Sequence, residues 1–192
     1  MKTMMKIIVA IMALTVYTLG HASSVNSTEL NCLAKNIYYE AGSESLEGKV
    51  AVGVVTLNRV GDGRFGNSVC GVVKQRTVFH KQRQTRVTHE VHSKKYLVMD
   101  RVDLVTEIET QQYTTAVCQF SWSCGPVKHP KTDDKRWAES VRVADELLNG
   151  GFNDLRAKYD EALYFHAVAI RPAWRSIKRK IARIGGHIFY GD

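Results

Sequence analysis

One carboxylate in this chain is placed to do acid chemistry. Glu40 lies in Asn36-Ile37-Tyr38-Tyr39-Glu40-Ala41-Gly42, at what the residue spacing predicts to be the closing turn of an amphipathic helix. Leu30, Leu33, Ala34, Ile37 and Ala41 recur at helical intervals and make one buried stripe. At about 100° per residue Glu40 falls at the edge of that stripe, beside Leu33. Gly42 is a natural helix stop, which leaves Glu40 near the negative end of the helix dipole. Half-burial and the dipole both disfavour the ionised form, so both raise the pKa. General-acid cleavage of a glycosidic bond needs a carboxylic acid that keeps its proton in this way. The plainer alternative is an ordinary interfacial Glu near a helix end.

Two further segments carry groups that could act on a substrate. Cys118-Gln119-Phe120-Ser121-Trp122-Ser123-Cys124 interleaves polar and aromatic side chains. Sugars bind by stacking their apolar faces on aromatics and by hydrogen bonds from amides and hydroxyls, and both are offered here; a core strand with a local disulfide would show the same composition. Tyr164-Phe165-His166-Ala167 and Arg171-Pro172-Ala173-Trp174 bring a His, an Arg and a Trp close in sequence. His80, His89, His92 and His166 could in principle ligate zinc, but H-E-x-x-H is absent and His89 and His92 stand at i, i+3 in a basic stretch. They read as surface histidines, His166 as a core histidine bonded to backbone, and neither a metal nor a cofactor is expected.

These groups must be positioned by the rest of the chain. Lys2 and Lys6, the apolar run Ile7 to Leu19 and Gly20-His21-Ala22 form an export signal over residues 1–22. The apolar run is shorter than a membrane helix prefers, so no stable span is expected after cleavage. Losing two lysines lowers the formal net charge from +8 to +6, and residues 23–192 make one domain with a full-sized core. Export places Cys32, Cys70, Cys118 and Cys124 in an oxidising compartment, periplasmic or extracellular, where three disulfide pairings are open. The spread positive charge suits an anionic polymer such as peptidoglycan or teichoic acid; no nucleic-acid motif accompanies it.

Along the chain, helices are predicted from about Thr28 to Ala41, from a Ser45 cap to Gly61-Asp62-Gly63, and from about Asp134 to Asn149, with a short apolar element over Val69–Gln75. Joined by about four residues, the first two helices must pack together, which puts Glu40 at their corner. Gly48 and Gly53 inside the second helix would permit close packing. Arg76 to Lys95 carries six basic residues against the single acid Glu90 and reads as a solvated excursion able to hold an anionic polymer. Tyr96 to Tyr113 resumes a helix-compatible pattern, and Ala162–Ile170 and His187–Tyr190 look like strands separated by a basic segment.

The ordered blocks resemble a known family. Asn36-Ile37-Tyr38-Tyr39-Glu40-Ala41, Glu47-Gly48-Lys49-Val50-Ala51-Val52 with Leu57-Asn58-Arg59-Val60, and Val69-Cys70-Gly71-Val72-Val73-Lys74-Gln75 come first. Cys118-Gln119-Phe120-Ser121-Trp122, Tyr164-Phe165-His166-Ala167 and Gly185-Gly186-His187-Ile188-Phe189-Tyr190 follow. In this order they look like the spore cortex-lytic enzyme family of cell-wall hydrolases, across most of residues 30–192. The resemblance implies an α+β, mainly helical, lysozyme-like single domain with a small antiparallel sheet. It also implies a lytic transglycosylase acting on peptidoglycan, with its catalytic glutamate at Glu40. Tyr39, Gln119, Phe120, Ser121, Trp122, His166, Trp174 and Tyr190 are the candidate substrate-binding residues, and the protein is expected to be a monomer. A hydrolysing muramidase, which needs a second carboxylate, and a non-catalytic wall-binding protein are the alternatives; Glu44, Glu47 and Asp62 are the acids nearest in sequence. Two features depart from the family's pattern: Arg76–Val117 reads as an insertion, and Gly125 stands where an acidic residue commonly follows the second cysteine.

Overall fold

In the computed structural model, which describes residues 26–94 and 100–192 with side chains for 26–90 and 104–192, Asn26 opens the first helix, α1 (Ser27–Ala41). Its side chain accepts the Thr28 amide at 2.9 Å, satisfying a donor the helix itself leaves free. Gly42 ends α1 in the right-handed region, its N–H returning to Tyr38 O. Ser45 caps α2 (Leu46–Asp62), and Gly63 closes it at φ 78°, the left-handed conformation glycine adopts without a Cβ penalty. The export segment expected over residues 1–22 lies outside the described residues, among which no helix is long and apolar enough to cross a membrane.

A short α3 (Val69–Val73) follows, and later α4 (Lys135–Leu148) and α5 (Asn153–Lys158). Leu33, Ala34 and Ile37 of α1, Val50 and Val54 of α2 and Val143 and Leu147 of α4 form the core. Gly53 lets these helices close on one another: a Cβ there would stand 2.4 Å from Leu147 Cδ1 and 3.2 Å from Ile37 Cδ1. Phe189 extends the core into a three-stranded antiparallel sheet, order β3 (Tyr164–Ala167), β5 (His187–Gly191), β4 (Arg179–Ile184). The body is thus α+β, mainly helical with a small sheet, as the sequence predicts.

All four cysteines are bridged, Cys32 to Cys70 and Cys118 to Cys124. The first ties α1 to α3 across a separation of 38 residues. In the chain-entropy account, removing it by Cys32→Ser with Cys70→Ser should cost about 2–5 kcal/mol. The melting temperature of the double variant should fall well below that of the unaltered protein, and an unchanged value would mean the bridge contributes nothing.

The segment after α3 bears out one expectation and corrects another. Arg76–Lys95 is solvated, its described side chains nearly all exposed, and it supplies β1 (Arg76–Lys94). Tyr96–Tyr113, read as helix-compatible, lies largely in β2 (Asp100–Cys118). The strands pair antiparallel from Arg76↔Cys118 to Lys94↔Asp100. Val105, Thr106, Ile108, Thr110, Tyr113, Thr114, Thr115 and Val117 explain why: β-branched and aromatic residues fit a pleated backbone, and their density outweighs the helical spacing of a few apolar positions. Smaller differences are that the 175–183 separator holds most of β4, that Ser121–Cys124 is a 3-10 turn rather than a strand, and that α5 carried no clear periodicity.

Candidate active site

Glu40 occupies the last turn of α1, half-buried, where the chain turns through Gly42 and Ser43 into α2. The corner is fixed from below by Lys49, a buried lysine of α2 whose Nζ donates to Glu44 O at 2.8 Å and to Glu139 Oε2 at 2.8 Å. Among the described residues nothing hydrogen-bonds the Glu40 carboxyl. Burial raises its pKa to about 7, and the nearby positive charge of Arg59 offsets only part of that rise. The driving cause is therefore desolvation.

Arg59 has the converse problem. It projects from α2 into the interior and is 2% exposed. Its Nε donates to Leu163 O at 2.7 Å, and its guanidinium lies 5.0 Å from the Phe65 ring centre and 5.3 Å from that of Phe120. With its amide oxygen turned inward, Gln119 accepts from both terminal nitrogens at 3.2 and 3.3 Å. Burial lowers the Arg59 pKa to about 10, opposed by Tyr164 and Glu40. No carboxylate among the described residues stands within ion-pair distance of it. A buried cation on neutral partners favours a carboxylate beside it, so Arg59 stabilises Glu40 once its proton has gone.

The acids near Glu40 in sequence have other partners. Glu44 receives the Gly186 amide at 3.2 and 3.3 Å on its two oxygens and stands 3.6 Å from His187 Nδ1. Gly185, at φ 49°, makes this possible, because a Cβ there would fall 1.9 Å from Glu44 Oε2. Glu47 accepts from Lys158 Nζ at 2.7 Å and Tyr159 Oη at 2.6 Å, and Asp62 pairs with Arg64 at 2.6 Å.

The eight substrate-binding candidates fall into three groups. Gln119 and Phe120 surround Arg59 and so border the Glu40 site; Phe120 is buried and packs toward Phe165. Tyr39 and Trp122 stack at 4.8 Å, and the Trp122 Nε1–H donates to Asn36 Oδ1 at 3.2 Å; Ser121 opens the same 3-10 turn, exposed. His166, Trp174 and Tyr190 form an aromatic cluster on the small sheet, with His166 Nδ1 against Ala167 O at 2.8 Å and Nε2 against Tyr190 Oη at 3.0 Å. Both nitrogens of this buried histidine are used within the protein. Beyond the Tyr39–Trp122 stack lies a cavity of about 460 Å³, its lining including Lys35, Lys74 and Arg76.

Sequence reasoning assigned no role to Arg59, Asn36 or the Glu44 contact with Gly186. Arg59 had a readable signal, since it follows Val52 and Val55 on the apolar face of α2, where an unpaired arginine is unusual. Asn36 bonds Thr56 Oγ1 at 3.0 Å as well as Trp122, which fixes the indole against Tyr39. Among the described residues, no three His, Cys, Asp or Glu side chains stand together in a way that could hold a metal ion. A family model described as Cell Wall Hydrolase matches residues 43–190, beginning just after Glu40. No curated protein and no solved structure matches the chain.

Proposed function

The chain belongs to the cell wall hydrolase family, and from that premise we propose that it cleaves the glycan strands of peptidoglycan with Glu40 as the sole proton carrier. The observation that carries this reading is the pairing of a half-buried carboxylic acid, held near pKa 7, with a buried arginine that lacks an acidic partner among the described residues. Glu40, protonated, donates to the glycosidic oxygen as the bond to C1 lengthens through an oxocarbenium-like state. The carboxylate formed is stabilised by Arg59. It then takes the proton from the muramoyl 6-hydroxyl as that oxygen attacks C1, leaving a 1,6-anhydro sugar and Glu40 protonated again. The fold expected by resemblance is lysozyme-like, and the Tyr39–Trp122 stack offers a flat aromatic wall for a sugar ring.

The hydrolysing alternative would require a second carboxylate as nucleophile or water activator. Glu44 is the nearest in sequence, but its oxygens already accept the Gly186 amide. That engagement favours the transglycosylase outcome. Lys35, Lys74 and Arg76, which edge the largely apolar cavity beside Trp122, suit the carboxylates that wall polymers carry.

Digestion of purified sacculi in the presence of EDTA tests the reading against a zinc amidase. Glycan-cleaved fragments should appear at an undiminished rate, because every step runs through Glu40 and Arg59. Release of free peptides, or loss of activity restored by added zinc, would move the assignment to metal-dependent amide cleavage.

A further inference from the structure

The most unusual feature of the molecule is the ribbon of β1 and β2. Each strand has 19 residues, which makes an arm about 60 Å long. Apart from each other, the strands' chief contact is that of β2 with the 3-10 turn at the root. A lone two-stranded ribbon is marginal in water. This one nonetheless exposes Phe79 at 45%, Tyr113 at 38% and Val105 at 38%, and both its edges are unpaired.

The strand register sorts the side chains by face. Because directly opposite residues share a face and their numbers sum to an even value, odd-numbered residues of both strands lie together. Among its described side chains the odd face carries its charged residues in two blocks, with the His89 imidazole 3.8 Å from Glu107. Lys81 and Arg83 lie toward the body, and Glu107 and Glu109 lie just beyond them toward the tip, opposite Val87 and Thr85. The even face has a single described acid, Glu90, and no comparable division.

We propose that the odd face of the ribbon is the self-association surface of a two-fold symmetric dimer. Turn a second ribbon over about an axis that crosses the strands at the Gln84↔Thr110 pair. The level of Arg83 then meets the level of the partner's Glu109, and that of Lys81 meets that of the partner's Glu107. The same axis sets Phe79 at the level of the partner's Val105, and Tyr113 at that of the partner's Val87. One operation brings both charge blocks and both apolar pairs to common levels, each pair lying diagonally across the two ribbons, and by symmetry each match occurs twice. A parallel arrangement would instead oppose like charges. A face about 60 Å by about 10 Å buries at most about 600 Å² per partner, at the low end for a specific interface, so the dimer forms and parts with concentration. This goes beyond the proposed wall chemistry, replaces the monomer expected from sequence, and assigns Lys81 and Arg83 of the basic stretch to a second copy of the chain, while Arg76 and Arg86 lie on the other face.

Sedimentation velocity on the mature protein and two charge-reversal variants tests it. Wild type should shift from monomer to dimer with rising concentration, less so at high salt. Lys81→Glu with Arg83→Glu, and separately Glu107→Lys with Glu109→Lys, should each remain monomeric where wild type is dimeric, with melting temperatures of the body unchanged. Mixing the two variants should restore the dimer, since reversed charges meet reversed charges. The proposal is overturned if wild type stays monomeric to about 0.1 mM, a concentration at which even a weak specific contact is populated. It is equally overturned if either variant dimerises like wild type, or if the mixture stays monomeric. Loss of sacculus binding by Lys81→Glu with Arg83→Glu, in a protein that never dimerises, would give the surface to the polymer instead.

Discussion

Glu40→Gln should slow the clearing of purified sacculi by about 10²- to 10⁴-fold, the range lost when a positioned acid can no longer transfer its proton. The amide keeps the shape of the carboxyl and removes only the proton, so the packing around residue 40 should be unaltered. The fold should not suffer. With no hydrogen bond to the Glu40 carboxyl among the described residues, nothing is broken by the exchange, and an ionisable group is taken out of a half-buried site. Turbidity loss and thermal melting measured side by side separate the two effects. Activity within about tenfold of wild type at equal stability would remove Glu40 from the chemistry.

The second large effect is on pH. If the protonated form of Glu40 starts the reaction, kcat/KM should hold steady below about pH 7 and fall about tenfold for each unit above it, following the ionisation of this one group. Arg59→Met should move that limb to higher pH, because the charge that lowers the Glu40 pKa is gone. Stability follows the same ionisation with a definite sign. The folded pKa is raised above the ordinary value of 4.5, so the folded state holds the proton more tightly than the unfolded chain. The stability linked to that proton is complete below about pH 4.5 and is lost as pH rises through about 7. Glu40→Gln should therefore gain on wild type in melting temperature most clearly above pH 7. A flat rate profile across that range would contradict the role of Glu40 as acid.

The helical half of the molecule could be read from sequence because its signals are local. Asn26 and Ser45 cap where caps were needed, and Gly63 stops α2 in the left-handed conformation only glycine adopts readily. Leu33, Ile37, Val50 and Val54 repeat at the helical period and are buried as that period demands. The corner that holds Glu40 follows from two such helices and a short turn. The ribbon was not legible for the same reason in reverse. Its strands are stabilised by pairing across up to about forty residues of chain, and neither strand alone carries a clean alternation of apolar and polar positions, since no core lies under either face. The candidate site divides along the same line. Glu40 and Tyr39 are placed by α1, whereas the company they keep is non-local: Arg59 from α2, and Gln119 and Trp122 from the chain just beyond the ribbon's root. His166 reads in sequence both as a core histidine bonded to backbone and as a possible substrate contact; its bond to Ala167 O fits the first reading, while its partner Tyr190 Oη is set by the sheet register.

The central claim is that one acid, acting twice, cuts the glycan without a second carboxylate. Mass analysis of the soluble fragments released from purified sacculi tests it most directly. The account predicts muropeptides ending in a 1,6-anhydro sugar, lighter by one water than the reducing-end products of hydrolysis, formed by wild type and absent with Glu40→Gln. Reducing-end muropeptides as the main product would contradict it, and would require a water-activating or nucleophilic group that the present mechanism lacks.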